Sequence, residues 1–136
     1  MIEKKILVVD DEKTTRVLLE KIISEFGYKV DLACCAKDAL DKIKNEEFQL
    51  IITDLKMPEI DGAELCRRIR SENLEVVIYA LSGYIGEFEP EELQDIGFDG
   101  HLSKPVDGTV LKRAIEGAFA TTYQRGKGQD NQISAS

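Results

Sequence analysis

The sequence has few of the residues that bind transition metals or cross-link small domains. Its 136 residues include three cysteines, one histidine and no tryptophan. The cysteines, Cys34, Cys35 and Cys66, do not have the spacing of metal ligands, so we expect three small, buried or half-buried thiols. Their odd number and the lack of a signal-peptide pattern predict a reducing compartment, the cytoplasm.

The sequence also lacks a long apolar run and an excess of positive charge. The N-terminal apolar run, Ile6–Val9, is too short to span a bilayer, so we expect no membrane contact. Lys and Arg total 18 against 26 Asp and Glu, a net charge of −8. This balance argues against direct binding of nucleic acid, and it suits a divalent cation or a basic patch on a partner protein.

Length and composition are those of one globular domain that needs no metal or disulfide to fold, with 43% hydrophobic residues. Short apolar segments alternate with helical patterns. The predicted strands are 4–9, 28–33, 48–53, 75–81 and 98–103, and the predicted helices are 13–26, 37–46, 61–70, 90–96 and 107–119. Strands and helices that alternate in this way predict an α/β fold, a parallel sheet covered on both faces as a three-layer sandwich.

Apolar periodicity predicts which helix faces are buried. In the first helix the inward stripe, with Leu19 and Ile23 beside it, is Val17, Leu18, Ile22 and Phe26. In the last helix the predicted stripe is Val110, Leu111, Ala114, Ile115 and Ala118. In the second helix, Asp38 and Lys42 have the i,i+4 spacing of an ion pair.

Two segments have the composition of irregular chain. Residues 84–89 form a looser connection before the predicted fourth helix, which begins at Pro90. From residue 121 onward the chain is rich in Gly, Gln, Ser and Asn and nearly free of apolar residues. We therefore expect residues 1–120 to form the domain and residues 121–136 to be a disordered tail.

Charged or hydroxyl side chains follow or end four of the predicted strands. They are Asp10 with Asp11, then Asp54, Ser82 and Lys104. The carboxyl ends of parallel strands meet at one edge, where ligands of open α/β sheets bind. Three carboxylates there repel one another, and Mg²⁺ would relieve this. A lysine and a hydroxyl beside the metal suit a phosphoryl group, which an aspartate can accept.

These residues resemble the motifs of one family, the receiver domains of bacterial two-component response regulators, which have the CheY-like, flavodoxin-like fold. The resemblance covers about residues 4–120. It rests on five pieces in the family's order, namely Asp10-Asp11, Asp54 with Met57-Pro58, Asp61-Gly62, Ser82-Gly83 and Lys104-Pro105. It implies a five-stranded parallel sheet of order 2-1-3-4-5.

The resemblance also implies a reaction. Asp54 would accept a phosphoryl group from a histidine kinase or a histidine phosphotransfer protein. Asp11, Asp54 and the backbone carbonyl of Lys56 would ligate Mg²⁺ directly, and Asp10 would act mostly through water. The protein would be a self-phosphorylating signalling domain with slow autodephosphorylation rather than a turnover enzyme.

The remaining family positions concern the phosphoryl group and the output. Lys104 would pair with the phosphoryl group or with Asp54, and the Ser82 hydroxyl would hydrogen-bond a phosphoryl oxygen. Pro105 would follow a cis peptide bond. Phosphorylation would change partner binding through the face made by the fourth helix, the fifth strand and the last helix.

Two positions depart from the family pattern. The place of the usual Tyr or Phe switch, three residues before the lysine, is taken by His101, and the residue after the switch hydroxyl is Gly83 rather than the frequent Ala. His101 either replaces the aromatic switch or is an exposed histidine without a signalling role.

Three other functions are compatible with parts of the pattern. A metal-dependent hydrolase would need a further general acid or base, and no Asp-x-Asp motif follows the first strand. A flavin-binding protein of similar topology would need a phosphate loop after the first strand, which is absent. A degenerate receiver that binds partners without phosphorylation would not need the complete acidic set.

Overall fold

The computed structural model describes residues 4–83 and 88–135. Within these ranges, five strands alternate with five helices. The strands are β1 Lys5–Val9, β2 Lys29–Ala33, β3 Leu50–Asp54, β4 Val77–Ser82 and β5 Gly100–Ser103. The helices are α1 Lys13–Glu25, α2 Ala36–Asn45, α3 Gly62–Arg70, α4 Pro90–Ile96 and α5 Gly108–Ala135. Every predicted element is therefore present, with ends that differ by a few residues except in α5.

The strands form one parallel sheet of order β2-β1-β3-β4-β5. This confirms the predicted α/β fold and the strand order that the family resemblance implied. β3 lies at the centre, and all five of its residues are buried. A strand that is covered on both faces needs apolar side chains on both faces, which explains why Leu50, Ile51 and Ile52 follow one another without an intervening polar residue.

The core has one layer on each face of the sheet. Leu7, Val9 and Ile51 point to the layer under α2, α3 and α4. Ile6, Val8 and the other side chains of the second layer pack under α1 and α5. Because side chains alternate along β1, the strand contributes residues to both core layers. The fold is therefore the predicted three-layer sandwich of helices, sheet and helices.

The structure corrects the predicted inward faces of α1 and α5. Leu19 and Ile23 are the buried residues of α1, whereas Val17 and Leu18 are 49% and 50% exposed. In α5, Val110 is 54% exposed while Leu111 is fully buried. Apolar neighbours in sequence point about 100° apart on a helix, so only one of each adjacent pair can face the sheet.

Helix α5 extends past the boundary predicted at residue 120. Thr122 donates a hydrogen bond to the Ala118 carbonyl at 3.0 Å, and Arg125 donates to the Glu75 carbonyl at 2.8 Å and to Asp99 at 2.6 Å. The predicted disorder therefore does not describe residues 121–126. Polar composition concealed this order because the contacts that hold the segment are ion pairs and hydrogen bonds rather than buried apolar side chains.

The helix termini follow the sequence in part. Asp61 caps α3 by accepting from the Glu64 amide at 2.8 Å, and Pro90 begins α4 behind a capping box formed by Glu89 and Glu92. Of the predicted loose segment 84–89, residues 84–87 lie outside the described residues. None of the described helices combines the length and the apolar character needed to cross a membrane.

One predicted ion pair is replaced by another. Lys42 does not pair with Asp38; its ammonium lies 3.1 Å from Asp31 and also donates to the Leu32 carbonyl. Asp38 instead accepts from the Cys34 amide at 3.3 Å. Asp38 and Lys42 do lie about one helical turn apart, but β2 offers the lysine both a backbone carbonyl and a carboxylate.

Candidate functional site at the carboxyl edge of the sheet

The candidate site lies where four parallel strands end. Asp10 follows β1, Asp54 ends β3, Ser82 ends β4 and Lys104 follows β5. The register places Asp54 beside Leu81, and the Lys104 amide donates to the Ser82 carbonyl at 2.8 Å. The structure thus brings together the residues that the sequence placed at this edge.

Three carboxylates meet at the centre of the edge. Asp10, Asp11 and Asp54 each have an oxygen within 4.8 Å of the others. Asp10 is fully buried and Asp54 is 6% exposed, whereas Asp11 is exposed to solvent. Two buried carboxylates at this distance are unfavourable without a counter-charge.

The oxygen Oδ2 of Asp10 is incompletely satisfied. Its partner Oδ1 accepts from the Glu12 amide at 2.9 Å, but Oδ2 accepts no hydrogen bond from any residue that the structure describes. The Lys104 ammonium lies 3.0 Å from this oxygen as an ion pair, without the alignment of a hydrogen bond. A buried carboxylate oxygen with remaining acceptor capacity is suited to a hard cation or its bound water.

Lys104 partly neutralises the cluster. Its ammonium also lies 3.4 Å from Asp54 Oδ2 and 4.0 Å from Glu12. Burial alone would lower the pKa of Lys104, but the adjacent carboxylates of Asp10 and Asp54 outweigh it and raise that pKa overall. Lys104 is therefore a fixed positive charge at neutral pH.

The surroundings of Asp54 disfavour its ionised form. Burial, followed by the charge of Asp10, raises the pKa of Asp54 from 3.8 to about 6. Lys104 and the Lys56 backbone act in the opposite direction. The carboxylate that ends β3 thus carries a charge that the fold by itself does not fully compensate.

The loop after β3 is held close to the strand by a glycine. The Gly62 amide donates to the Leu55 carbonyl at 2.9 Å, and a Cβ on Gly62 would lie 2.1 Å from the backbone oxygen of Asp54. Only glycine permits this approach. The loop places Lys56 on the rim of a cleft of about 370 Å³ whose walls are Asp11, Glu12, Asp54, Leu55, Lys56, Ser82, Gly83 and Lys104.

Sequence reasoning missed two contributors to this edge. It interpreted Asp61-Gly62 as a turn, although the glycine is required by the close contact with Asp54. It assigned nothing to Arg16, whose guanidinium donates to the Asp10 carbonyl at 2.7 Å. The Asp-Gly pair was a usable indication of a tight approach, whereas no local pattern pointed to Arg16.

The family resemblance connects Ser82, His101 and the bond between Lys104 and Pro105 with signal output. The peptide bond between Lys104 and Pro105 is cis, as the family resemblance implied. Ser82 is half-buried and His101 is exposed on β5, opposite Ala80. His101 also borders a separate cavity of about 660 Å³ between α4, β5 and α5, which contains none of the three clustered carboxylates. A switching role for His101 stays a prediction.

Comparisons with known proteins agree on one family. Residues 6–116 match the family model described as response regulator receiver domain. The chain is 31% identical over 118 residues to sporulation initiation phosphotransferase F of Bacillus subtilis (strain 168), covering 85% of this chain and 94% of that protein. It is 37% identical over 107 residues to the sensor protein EvgS of Escherichia coli (strain K12), covering 79% of this chain.

The likeness to the sensor protein is partial, since the chain spans only 9% of it. Among solved structures, the chemotaxis protein CheY4 of Vibrio cholerae is similar with a TM-score of 0.80 and 27% identity. The match covers 86% of this chain and 99% of that one.

Proposed function

Because the chain belongs to the family of response regulator receiver domains, we propose that it accepts a phosphoryl group on Asp54 in a Mg²⁺-dependent reaction. The donor is a histidine kinase or a histidine phosphotransfer protein in the cytoplasm. The observation that carries the proposal is the buried Asp54 carboxylate at the end of β3, with Lys104 at 3.4 Å and two further carboxylates beside it.

The residues present fit a magnesium ion. Asp10, Asp11, Asp54 and the backbone carbonyl of Lys56 would hold it, since they offer hard oxygen ligands and include the incompletely satisfied Asp10 oxygen. When bound, the ion neutralises negative charge that develops on the phosphoryl oxygens. The cleft is open on the Asp11 side, which leaves room for water and for the phosphoryl group.

Side chains of the protein carry out the transfer and bind the phosphoryl oxygens. An oxygen of Asp54 attacks phosphorus as the phosphorus–nitrogen bond to the donor histidine breaks, so that an aspartyl phosphate forms and the imidazole leaves with the electron pair. The Lys104 ammonium binds a phosphoryl oxygen in place of the carboxylate charge that it now pairs with. The Ser82 hydroxyl donates a hydrogen bond to another phosphoryl oxygen.

The output follows from the new charge. A phosphoryl group adds about −1.5 to −2 at neutral pH. Ser82 and Lys104 flank β5, so their movement toward this charge changes the face made by α4, β5 and α5. A protein partner then distinguishes the two states of that face.

The reaction is tested with a small phosphodonor. The protein is incubated with phosphoramidate with and without Mg²⁺, and the adduct is measured by intact mass and located by peptide mapping. We expect one phosphoryl group on Asp54, formed only with Mg²⁺ and absent in Asp54→Asn. The control Asp41→Asn changes an exposed carboxylate on α2 and should label like the wild type. Labelling of Asp54→Asn at the wild-type level would contradict the assignment.

A further inference from the structure

Two cysteines that the proposed function does not use lie side by side on the surface. Cys34 and Cys35 follow β2, and their sulfur atoms are 3.9 Å apart. Cys34 is exposed and Cys35 is half-buried, whereas the third cysteine, Cys66, is fully buried. The first two thiols are therefore open to a ligand from solvent.

The backbone holds this pair in place. Successive side chains of a strand point to opposite faces, but the chain bends at residues 34 and 35, and both thiols come to one side. The Cys34 amide donates to Asp38 at 3.3 Å, and the Cys35 carbonyl accepts from the Ala39 amide at 3.0 Å. The first turn of α2 thus fixes both residues.

A direct disulfide between these neighbours is unfavourable. Adjacent Cα atoms are about 3.8 Å apart across a trans peptide, below the range of about 4.4–6.8 Å for an unstrained disulfide. One ion can bridge the sulfurs without that strain. Two metal–sulfur bonds of about 2.3 Å each can span sulfurs up to about 4.6 Å apart, so the observed separation of 3.9 Å leaves room for one bridging ion.

We propose that Cys34 and Cys35 form a two-sulfur site for one thiophilic metal ion, and that monovalent copper matches it best. Among the described residues, the acidic cluster is the one group of three or more metal-binding side chains, so the thiol pair has no third ligand of this kind. A soft ion satisfied by few ligands suits such a pair better than zinc, which needs two further ligands.

Binding is an exchange of protons for the ion. Both sulfur–hydrogen bonds break, two metal–sulfur bonds form and two protons go to solvent, with no change of oxidation state. The contact with the Cys35 sulfur raises the pKa of the Cys34 thiol, and burial and Asp38 add to this. Hard ions do not compensate for removing these protons, whereas thiophilic ions do.

The site is distinct from the magnesium ligands but lies near them. The Ala33 carbonyl, directly before Cys34, accepts from the Asp10 amide at 3.1 Å. Excess Mg²⁺ should fill the acidic cluster without displacing an ion from the thiols, because carboxylates prefer hard ions and thiolates prefer soft ones.

The test measures Cu(I) affinity of the reduced full chain by competition with a chromogenic Cu(I) chelator, in the presence of excess Mg²⁺. We expect one ion per chain. Cys34→Ser and Cys35→Ser should each lower the affinity by about 100-fold or more, since each leaves a single sulfur without the chelate advantage. Cys66→Ala should bind like the wild type, and circular dichroism confirms that each variant is folded.

Three results would overturn the proposal. They are wild-type affinity in either serine variant, loss of binding in the Cys66 variant, and no binding above that of the double serine variant. A parallel titration with Zn²⁺ tests the ligand number. Tighter binding of zinc than of copper would indicate further protein ligands and contradict a two-sulfur site.

Discussion

Clusters of charge at the two ends of the sheet are neutralised to different extents. At the carboxyl edge, Asp10, Asp11 and Asp54 lie together, and the half-buried Lys104 ammonium pairs with two of them, Asp10 and Asp54. At the amino edge the ratio is reversed, because Asp99 lies between two guanidinium groups.

The amino-edge cluster is complete. Arg70 lies 2.7 Å from one oxygen of Asp99, and Arg125 lies 2.6 Å from the other. The Ile78 amide donates to Asp99 at 3.0 Å, and Arg70 also donates to the Gly97 carbonyl at 2.9 Å. Each carboxylate oxygen has a cationic donor, so this cluster joins α3, β4, β5 and α5.

The difference separates a structural cluster at the amino edge from the proposed binding site at the carboxyl edge. A charge that already has its partners gains little from a ligand and loses much when a partner is removed. A cluster with excess charge of one sign is held in place by the rest of the fold and gains free energy from an added cation. Stability measurements should therefore have opposite signs at the two edges.

The largest effect is expected at the amino edge. Asp99→Ala leaves the guanidinium groups of Arg70 and Arg125, whose side chains are 13% and 31% exposed, without their carboxylate. We expect it to lower the free energy of unfolding by about 2–4 kcal/mol, measured by urea denaturation. The control Asp95→Ala removes an exposed carboxylate of α4 and should cost less than about 0.5 kcal/mol. Equal costs for both variants would show that the cluster is not structural.

The next effect is the gain from a cation at the carboxyl edge. Mg²⁺ at roughly 100 times its dissociation constant should raise the free energy of unfolding by about 2–3 kcal/mol. Asp11→Asn should remove most of this gain, while Glu20→Gln, which removes an exposed carboxylate of α1, should retain it. Thermal unfolding with and without Mg²⁺ measures the difference. An unchanged gain in Asp11→Asn would contradict the site.

A smaller effect of opposite sign to the first is expected for Asp54. Its folded pKa of about 6 lies above the ordinary value of 3.8, so the folded state binds more protons than the unfolded state between these values. The stability that this proton contributes is complete below pH 3.8 and is lost as the pH rises through about 6.

Asp54→Asn removes the carboxylate whose ionisation causes this loss of stability. At pH 7 without divalent ions the variant should be more stable than the wild type by about 1–2 kcal/mol. The difference should shrink toward zero below about pH 4. Urea denaturation between pH 4 and 7 follows the profile. A variant less stable than the wild type at pH 7 would mean that the carboxylate is fully compensated.

The smallest effect concerns the part of α5 just beyond residue 120. Arg125→Ala breaks a partly exposed pair with Asp99, and we expect a cost of about 1 kcal/mol. Hydrogen exchange of residues 121–126 should become faster. Arg113→Ala, at an exposed position of the same helix, is the matched control and should change neither quantity. Unchanged exchange in Arg125→Ala would mean that this contact does not order the segment.

Features set by local pattern were predictable. Five apolar segments separated by amphipathic helices determine a parallel sheet, since strands so connected cannot pair as hairpins. Once the sheet is parallel, every residue after a strand lies at the same edge. The convergence of Asp10, Asp54 and Lys104 follows from their order in the chain, whatever the loops do.

Where two residues could each make the same contact, the sequence predicted only partly which one makes it. Leu18 and Leu19 are equally apolar, and periodicity does not state which of them faces the sheet. Lys42 had a carboxylate at helical spacing, yet Asp31 on the adjacent strand holds its ammonium. In each case a contact with another element outweighs the local pattern.

By itself, the sequence determined the order of strands and helices along the chain. It also determined that the carboxylates lie at the carboxyl edge of the sheet. Periodicity and strand-end position are local properties of the chain. Tertiary structure alone decided that Asp99 joins Arg70 and Arg125, which lie 29 and 26 residues away, and that α5 continues beyond residue 120. It also decided that the Cys34 and Cys35 thiols share one side. Contacts between residues this far apart in the chain, and the shared orientation of two thiols at a bend, depend on how whole helices and strands pack. No spacing in the sequence encodes that packing directly.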